Sequence, residues 1–182
     1  MTSLNIPPFV NFLRDPRAVL YSQSHVFENF HWNYTPEMEF VSQTQCSALS
    51  EDLDTLQRLK QLHPGRIKAI RYEDVATSPH EYARGIYEFL DLDYSDLVKK
   101  KVTELTSSTE KGDDDAYSVY RSNPVETMQK WKRAAGFTTV NVIDNTCHKL
   151  YPVLGYRRVT SDRDLMSNQS VVTQPETRYG VF

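Results

Sequence analysis

The sequence has 182 residues, 39% hydrophobic and 12% aromatic, with a formal net charge of -3. This length suits one domain with a hydrophobic core, and the composition excludes a largely disordered chain. The nearly balanced charge excludes a global basic field, so we expect neither nucleic acid nor a membrane surface as a partner. The chain has no apolar run of membrane-spanning length and no signal peptide, so the residues alone predict a soluble, cytosolic protein.

The first predicted element is a short strand that leads directly into a helix. Residues 1–8 are polar and end in two prolines, which is typical of an extended entry. The run from Phe9 to Leu13 has the aromatic and β-branched side chains of a buried strand. Asp15 then fits a helix N-cap, and Pro16 fits the first helical position.

Arg14 stands between this strand and this helix, so we expect it at the rim of a sheet. Ligands of open α/β sheets collect at the carboxyl ends of the strands, where an arginine offers a planar set of donors to a phosphate or carboxylate. Ser22 lies two helical turns further on, above the small residue Ala18, and its hydroxyl is a second candidate donor. The alternative is that Arg14 only pairs with Asp15 or Glu73 at the surface.

The next segments predict a crossover between two parallel strands. Residues 25–45 carry aromatic side chains without a clean period and predict an irregular segment or a lid, whereas leucines at the helical period predict a helix over residues 46–62. The sequence from Arg66 to Arg71 then predicts a second strand. A strand, a helical crossover and a strand indicate an α/β fold with a parallel sheet and flanking helices.

The remainder predicts further helices and one acidic loop. Helices are expected from Pro79, from Ser95 to Leu105, after Pro124 and from Thr139 to Leu150. The acidic run at 110–115 lacks the spacing of a calcium loop, and no other group has metal-ligand spacing, so we expect no metal. Beyond Arg158 the chain is polar and predicts an extended or disordered tail.

Two cysteines, Cys46 and Cys147, are far apart in the sequence and lie in predicted helices. Buried free thiols and a disulfide are about equally good interpretations of them.

Three stretches of this sequence resemble the sulfotransferases that use 3′-phosphoadenosine 5′-phosphosulfate (PAPS). RDPRAVLYS resembles their 3′-phosphate-binding motif, which implies that Arg14 and Ser22 bind that phosphate. RYEDVATSP resembles the segment whose tyrosine approaches the adenine, which implies this role for Tyr72. YSVYRSNP resembles a loop that folds over the nucleotide, which implies that Arg121 is a second phosphate donor.

The order of these motifs, together with Cys147 and the sequence LGY at 154–156, is most similar to the carbohydrate sulfotransferases of the galactose/N-acetylglucosamine 6-O type. The resemblance implies a P-loop-like sulfotransferase fold, PAPS as co-substrate and a hydroxyl of a glycan sugar as acceptor. It also implies a Golgi lumenal location, with a membrane anchor only in the full-length family, and leaves an oligomer possible.

One element of that family has no counterpart here. The family holds the 5′-phosphosulfate with a glycine-rich turn, whereas all six glycines of this sequence are isolated. We therefore expect a fold that is incomplete at its N-terminus, with a partial sulfotransferase domain at residues 9–159 and a polar tail at 160–182. No residue is assigned as catalytic base, although His25, Glu28 and His31 are close enough in sequence to consider.

Two other functions fit these observations. The chain is either an enzyme or a non-catalytic remnant that binds nucleotide weakly or acts only through protein association. A third interpretation, a nucleotide kinase-like protein, is disfavoured because the sequence has no P-loop.

Overall fold

The computed structural model describes residues 6–27, 30–32, 35–107, 120–167, 169–176 and 181–182. These residues form a mixed α/β structure in which many helices surround a small parallel sheet, which confirms the predicted fold class. None of the helices in these ranges has the length and apolar character that a bilayer crossing requires.

The sheet consists of β1 (Phe9–Leu13) and β2 (Ile67–Arg71), which pair in parallel so that Leu13 lies opposite Arg71. Between the strands lie α1 (Pro16–Gln23) and the long helix α2 (Thr35–Leu62). A short helix, α3 (Tyr72–Thr77), follows β2 without a loop. Each strand therefore passes directly into a helix at the same edge of the sheet.

The remaining helices come one after another along the chain. They are α4 (Pro79–Phe89), α5 (Asp96–Ser107), α6 (Pro124–Ala134), α7 (Phe137–Cys147), α8 (Tyr151–Leu154) and α9 (Asp162–Leu165). The helix predicted over residues 139–150 thus ends at Cys147, and α8 begins separately at Tyr151. The predicted loop at 110–115 lies outside the described residues.

Helix α2 begins earlier than predicted, and the interpretation of residues 35–45 as irregular was wrong. The buried face of α2 runs through Met38, Ser42, Cys46, Leu53 and Leu56, all at helical spacing. Ser42 hides this period in the sequence because it is polar. In the structure it is fully buried, and its hydroxyl donates to the carbonyl of Glu39.

The core lies where α2 packs against α7, and the two cysteines join these helices. Cys46 and Cys147 form a disulfide with their Cα atoms 5.5 Å apart. Between the two interpretations of the cysteines, the structure therefore selects the disulfide. Several of the residues that fill this core are fully buried, among them Leu20, Met38, Trp131, Val140, Ile143 and Leu154.

The segment after Arg158 packs onto the domain and includes α9, so the expectation of a disordered tail was wrong for its described residues, whereas residues 169–176 have no helix, in line with an extended segment. Leu165, Val171 and Val181 are buried, and Tyr156 forms an antiparallel bridge with Val172. These apolar residues occur in short pairs separated by polar stretches, so they give no periodic signal in the sequence. The division of the chain at residues 8 and 159 stays a prediction.

Candidate functional site at the strand ends

Arg14 and Tyr72 meet at the carboxyl edge of the sheet. Each is the first residue after a strand, and the parallel register that sets Leu13 opposite Arg71 also brings the next two residues side by side. The guanidinium carbon of Arg14 lies 4.4 Å from the centroid of the Tyr72 ring, within cation–π range. The structure therefore brings together two predicted site residues that are 58 positions apart in the sequence.

The Arg14 guanidinium has no carboxylate partner among the described residues. Its Nε is buried, yet no hydrogen-bond acceptor from the described part of the chain reaches this atom. Leaving a buried charged donor unpaired costs free energy, so such a donor needs an explanation, and an anionic ligand is one. Arg14 is half-buried, so the rest of its guanidinium is open to a ligand.

The surface pairing of Arg14 with Asp15 or Glu73 does not occur, because both carboxylates have other partners. The Asp15 side chain accepts from the backbone N–H of Arg17 at 2.9 Å and from the Arg17 guanidinium. Glu73 accepts from the Asp15 backbone N–H at 3.1 Å and from the Tyr156 hydroxyl at 2.6 Å. The alternative interpretation of Arg14 therefore fails in this structure.

Ser22 and Arg121 do not contact this pair within the described part of the chain. Ser22 is exposed in the last turn of α1. Arg121 is half-buried ahead of α6, where its backbone N–H donates to Leu105 and its guanidinium donates to the carbonyl of Tyr120 at 2.7 Å. Their assignment to a nucleotide site stays a prediction.

The candidate bases have ordinary surroundings where the structure describes them. The Nδ1 of His25 donates to the carbonyl of Tyr21 at 2.8 Å, and the two rings make an edge contact. His31 is exposed, and its backbone N–H donates to Glu37. Glu28 lies outside the described residues.

Arg17 is a structural residue that the sequence analysis missed. It is fully buried and holds Asp15 and Asp144, with its Nη1 3.2 Å from the Asp144 carboxylate. Its guanidinium also lies 4.7 Å from the Trp131 ring and 4.8 Å from the Tyr151 ring. A charged residue on a short helix ordinarily indicates a solvated face, so only its place in the RDPRAV string marked it as unusual.

A second buried arginine, Arg71, fastens the C-terminal segment to the end of β2. It forms a bidentate pair with Asp74 at 2.7 Å and donates to the carbonyls of Leu154, Gly155 and Thr173. Gly155 has a φ of +74°, and a Cβ there would collide with the Arg71 guanidinium and with the Thr173 carbonyl. This close approach explains the glycine of the LGY sequence.

Burial shifts the pKa values of the acids in this network. The pKa of Glu73 is raised, first by burial and then by the nearby charge of Asp15. The pKa of Asp144 is raised by burial, which the Arg17 guanidinium partly offsets. Burial alone would lower the pKa of Arg17, but Asp15, Tyr151 and Asp144 outweigh it and the net pKa is raised. Arg17 therefore stays cationic in the core.

The described residues contain no group of three or more His, Cys, Asp or Glu side chains arranged to hold a metal ion.

Comparison with known proteins matches residues 7–96 to the model of the sulfotransferase family. Carbohydrate sulfotransferase 1 of Rattus norvegicus is 26% identical over 166 residues, which cover 86% of this chain and 40% of that protein. Carbohydrate sulfotransferase 3 of Mus musculus is 26% identical over 89% of this chain and 36% of its own length. Carbohydrate sulfotransferase 4 of Mus musculus is 24% identical over 94% of this chain and 49% of its own length.

The chain therefore spans about two fifths of the length of the curated relatives it matches. No solved structure matches it significantly.

Proposed function

We propose that this chain, which belongs to the sulfotransferase family, binds PAPS at the ends of β1 and β2 and transfers a sulfuryl group to a hydroxyl of a glycan sugar. The observation that carries the proposal is the Arg14–Tyr72 pair, in which an arginine at a strand end has a buried Nε without a hydrogen-bond partner among the residues that the structure describes. The glycan acceptor is inferred from the names of the relatives, which are carbohydrate sulfotransferases.

In this proposal the residues at the strand ends fix the nucleotide. Arg14 donates to the 3′-phosphate, since a guanidinium suits phosphate oxygens in both geometry and charge. Ser22 donates its exposed hydroxyl to the same phosphate, the Tyr72 ring contacts the adenine, and Arg121 is a further phosphate donor. The fit rests on chemistry: an unpaired cationic donor beside an aromatic ring suits a phosphorylated nucleoside.

The contribution of these residues to the reaction is positioning. PAPS supplies the activated sulfuryl group when it is bound. Transfer of that group in line depends on correctly placed reactants and on donors that stabilise developing charge, and a base removes the proton of the sugar hydroxyl. Arg14 and Tyr72 fix the nucleotide end, and no residue of this chain is assigned as the base.

The disulfide supports a lumenal location, which we propose to be the Golgi. Cys46 and Cys147 pair between two core helices, and disulfides persist in oxidising compartments and are rare in the cytosol. This inference replaces the cytosolic location that composition alone predicted.

One sequence observation favours a second candidate function. All six glycines are isolated, so the sequence has no glycine-rich turn to hold a 5′-phosphosulfate. On that basis the chain would bind the nucleotide, or act through protein association, without transferring sulfate. Binding and transfer must therefore be measured separately.

Calorimetry with 3′-phosphoadenosine 5′-phosphate tests the binding site. Arg14→Ala should weaken binding about 10- to 100-fold, because it removes charge-assisted hydrogen bonds worth about 1.5–3 kcal/mol. Arg58→Ala is the matched control, since Arg58 is an exposed arginine of α2 that donates to Thr55. Failure of the parent to bind, or equal binding by the Arg14 and Arg58 variants, would contradict the proposed site.

A further inference from the structure

The two turns that carry Arg14 and Tyr72 are joined by one buried carboxylate. Asp15 follows Arg14 and Glu73 follows Tyr72, and the backbone N–H of Asp15 donates to Glu73 Oε1 at 3.1 Å. Glu73 is 3% exposed and Asp15 is 1% exposed, so water does not compete for this bond. The bond links the second residue after β1 to the first turn of α3, one position beyond the Arg14–Tyr72 contact.

The other oxygen of Glu73 is held from the opposite side. The hydroxyl of Tyr156, next to Gly155 in the C-terminal segment, donates to Glu73 Oε2 at 2.6 Å. Both oxygens of the carboxylate therefore have donors, and the side chain has one position in which both bonds form. Both oxygens of Glu73 are thus engaged by the protein, and the residue is only 3% exposed, so its main contacts are structural ones.

We propose that Glu73 is a positioning residue for the nucleotide site: it fixes the two strand ends relative to each other and thereby holds the Arg14 guanidinium over the Tyr72 ring. This inference rests on the proposed function and adds a residue to it. Loss of the Asp15–Glu73 bond removes the link between the segment after β1 and α3, although the Asp15 side chain stays bound to Arg17, and Arg14 then samples orientations in which it no longer meets the 3′-phosphate. The loss of affinity is therefore specific to the 3′-phosphate, which is the part of the ligand that Arg14 contacts in this proposal.

The chemistry of the carboxylate predicts which substitutions are tolerated. Glu73→Gln keeps an oxygen for the Asp15 N–H, and its amide group donates to the Tyr156 oxygen, since a tyrosine hydroxyl both donates and accepts. Glu73→Met has a similar length but accepts neither bond and leaves the Asp15 N–H unpaired. The positioning role therefore survives in the Gln variant and is lost in the Met variant.

The readout is the ratio of two dissociation constants, that of 5′-AMP divided by that of 3′-phosphoadenosine 5′-phosphate, measured by calorimetry on the full chain. A variant that only lowers the fraction of folded protein weakens the binding of both ligands equally and leaves this ratio unchanged. Asp164→Asn is the control for such an effect, because Asp164 accepts from Arg157 and Thr160 and does not touch the strand-end turns.

The parent and Asp164→Asn should prefer the 3′-phosphorylated ligand by about tenfold or more, as expected for charge-assisted hydrogen bonds. Glu73→Gln should stay within about threefold of the parent ratio, whereas Glu73→Met should lose most of the preference. If Glu73→Met does not fold, Glu73→Asp replaces it, because a carboxylate withdrawn by one methylene cannot hold both donors.

The possible failures are distinguishable. A parent chain without any preference for the 3′-phosphate overturns the proposed function, and the positioning role falls with it. A parent that has the preference, together with a folded Met or Asp variant that keeps it in full, overturns the positioning role alone. A Gln variant that loses as much of the 3′-phosphate preference as the Met variant also overturns the positioning role, because the hydrogen bonds of residue 73 would not then explain the loss.

Discussion

Opening the Cys46–Cys147 disulfide should lower the stability of the chain strongly. The bond joins residues 101 positions apart, so it closes a loop that contains more than half of the chain. Chain-entropy arguments give about 4.7 kcal/mol of stabilisation for a loop of about 100 residues, because the cross-link restricts the unfolded state. For a chain of this length, that free energy corresponds to a melting temperature lower by about 10–20 °C.

The assay is thermal unfolding followed by circular dichroism, with and without reductant. Thiol titration in denaturant shows whether the bond was intact at the start and open after reduction. The double variant Cys46→Ala/Cys147→Ala is the control, since its melting temperature must not respond to reductant. If the parent titrates with two free thiols before reduction, or melts at the same temperature with the bond open, the reasoning is refuted.

Three further substitutions test the buried network. Gly155→Ala should destabilise the fold by about 1–3 kcal/mol or more in denaturant titrations, because its φ of +74° disfavours a side chain and Arg71 occupies the space; an unchanged midpoint would contradict the collision. Arg17→Met should cost about 3–5 kcal/mol by the same titration, because it leaves two buried carboxylates without a cation; a neutral result would mean that the network contributes little. The Arg157 guanidinium holds the pKa of Asp164 well below its usual range, so the ionised carboxylate stabilises the fold above about pH 4 and this contribution is lost as the pH falls further. Between about pH 4 and pH 2 the free energy of unfolding of Asp164→Asn should therefore fall less steeply than that of the parent. An equally steep fall in both proteins would contradict a stabilising ion pair.

The strand-to-helix switch at Arg14 could be predicted from the sequence because its causes are local. Apolar residues, an N-cap aspartate and a proline at the first helical position all lie within eight residues of one another. The family resemblance then identified Arg14 and Tyr72 separately. Their contact was not predictable in the same way, because it depends on the register in which two strands pair.

The network around Arg17 lay beyond sequence reasoning for a physical reason. The buried Arg17 depends on a second carboxylate from Asp144, 127 positions away in the sequence. The roles of Glu73 and Tyr156 likewise depend on a contact across 83 positions. Long-range polar contacts have no period and no local spacing, so the sequence shows these residues as ordinary charged or aromatic positions.

The same limit explains the two segments whose predictions were wrong. In α2, one buried serine interrupts the apolar period, and the helix therefore seemed to begin at Cys46 rather than at Thr35. In the C-terminal segment, a leucine and two valines pack into the core, and Arg71, Lys60 and Lys132 donate to backbone carbonyls of the same segment. Composition alone described that segment as a polar tail.

The most direct test of the central claim is transfer of labelled sulfate from PAPS to glycans that end in galactose or N-acetylglucosamine. The account predicts that the purified chain labels such a glycan, that Arg14→Ala loses most of this activity, and that Arg58→Ala keeps it. If the parent binds 3′-phosphoadenosine 5′-phosphate and transfers no sulfate, the enzyme assignment of this chain is contradicted and the non-catalytic alternative is supported.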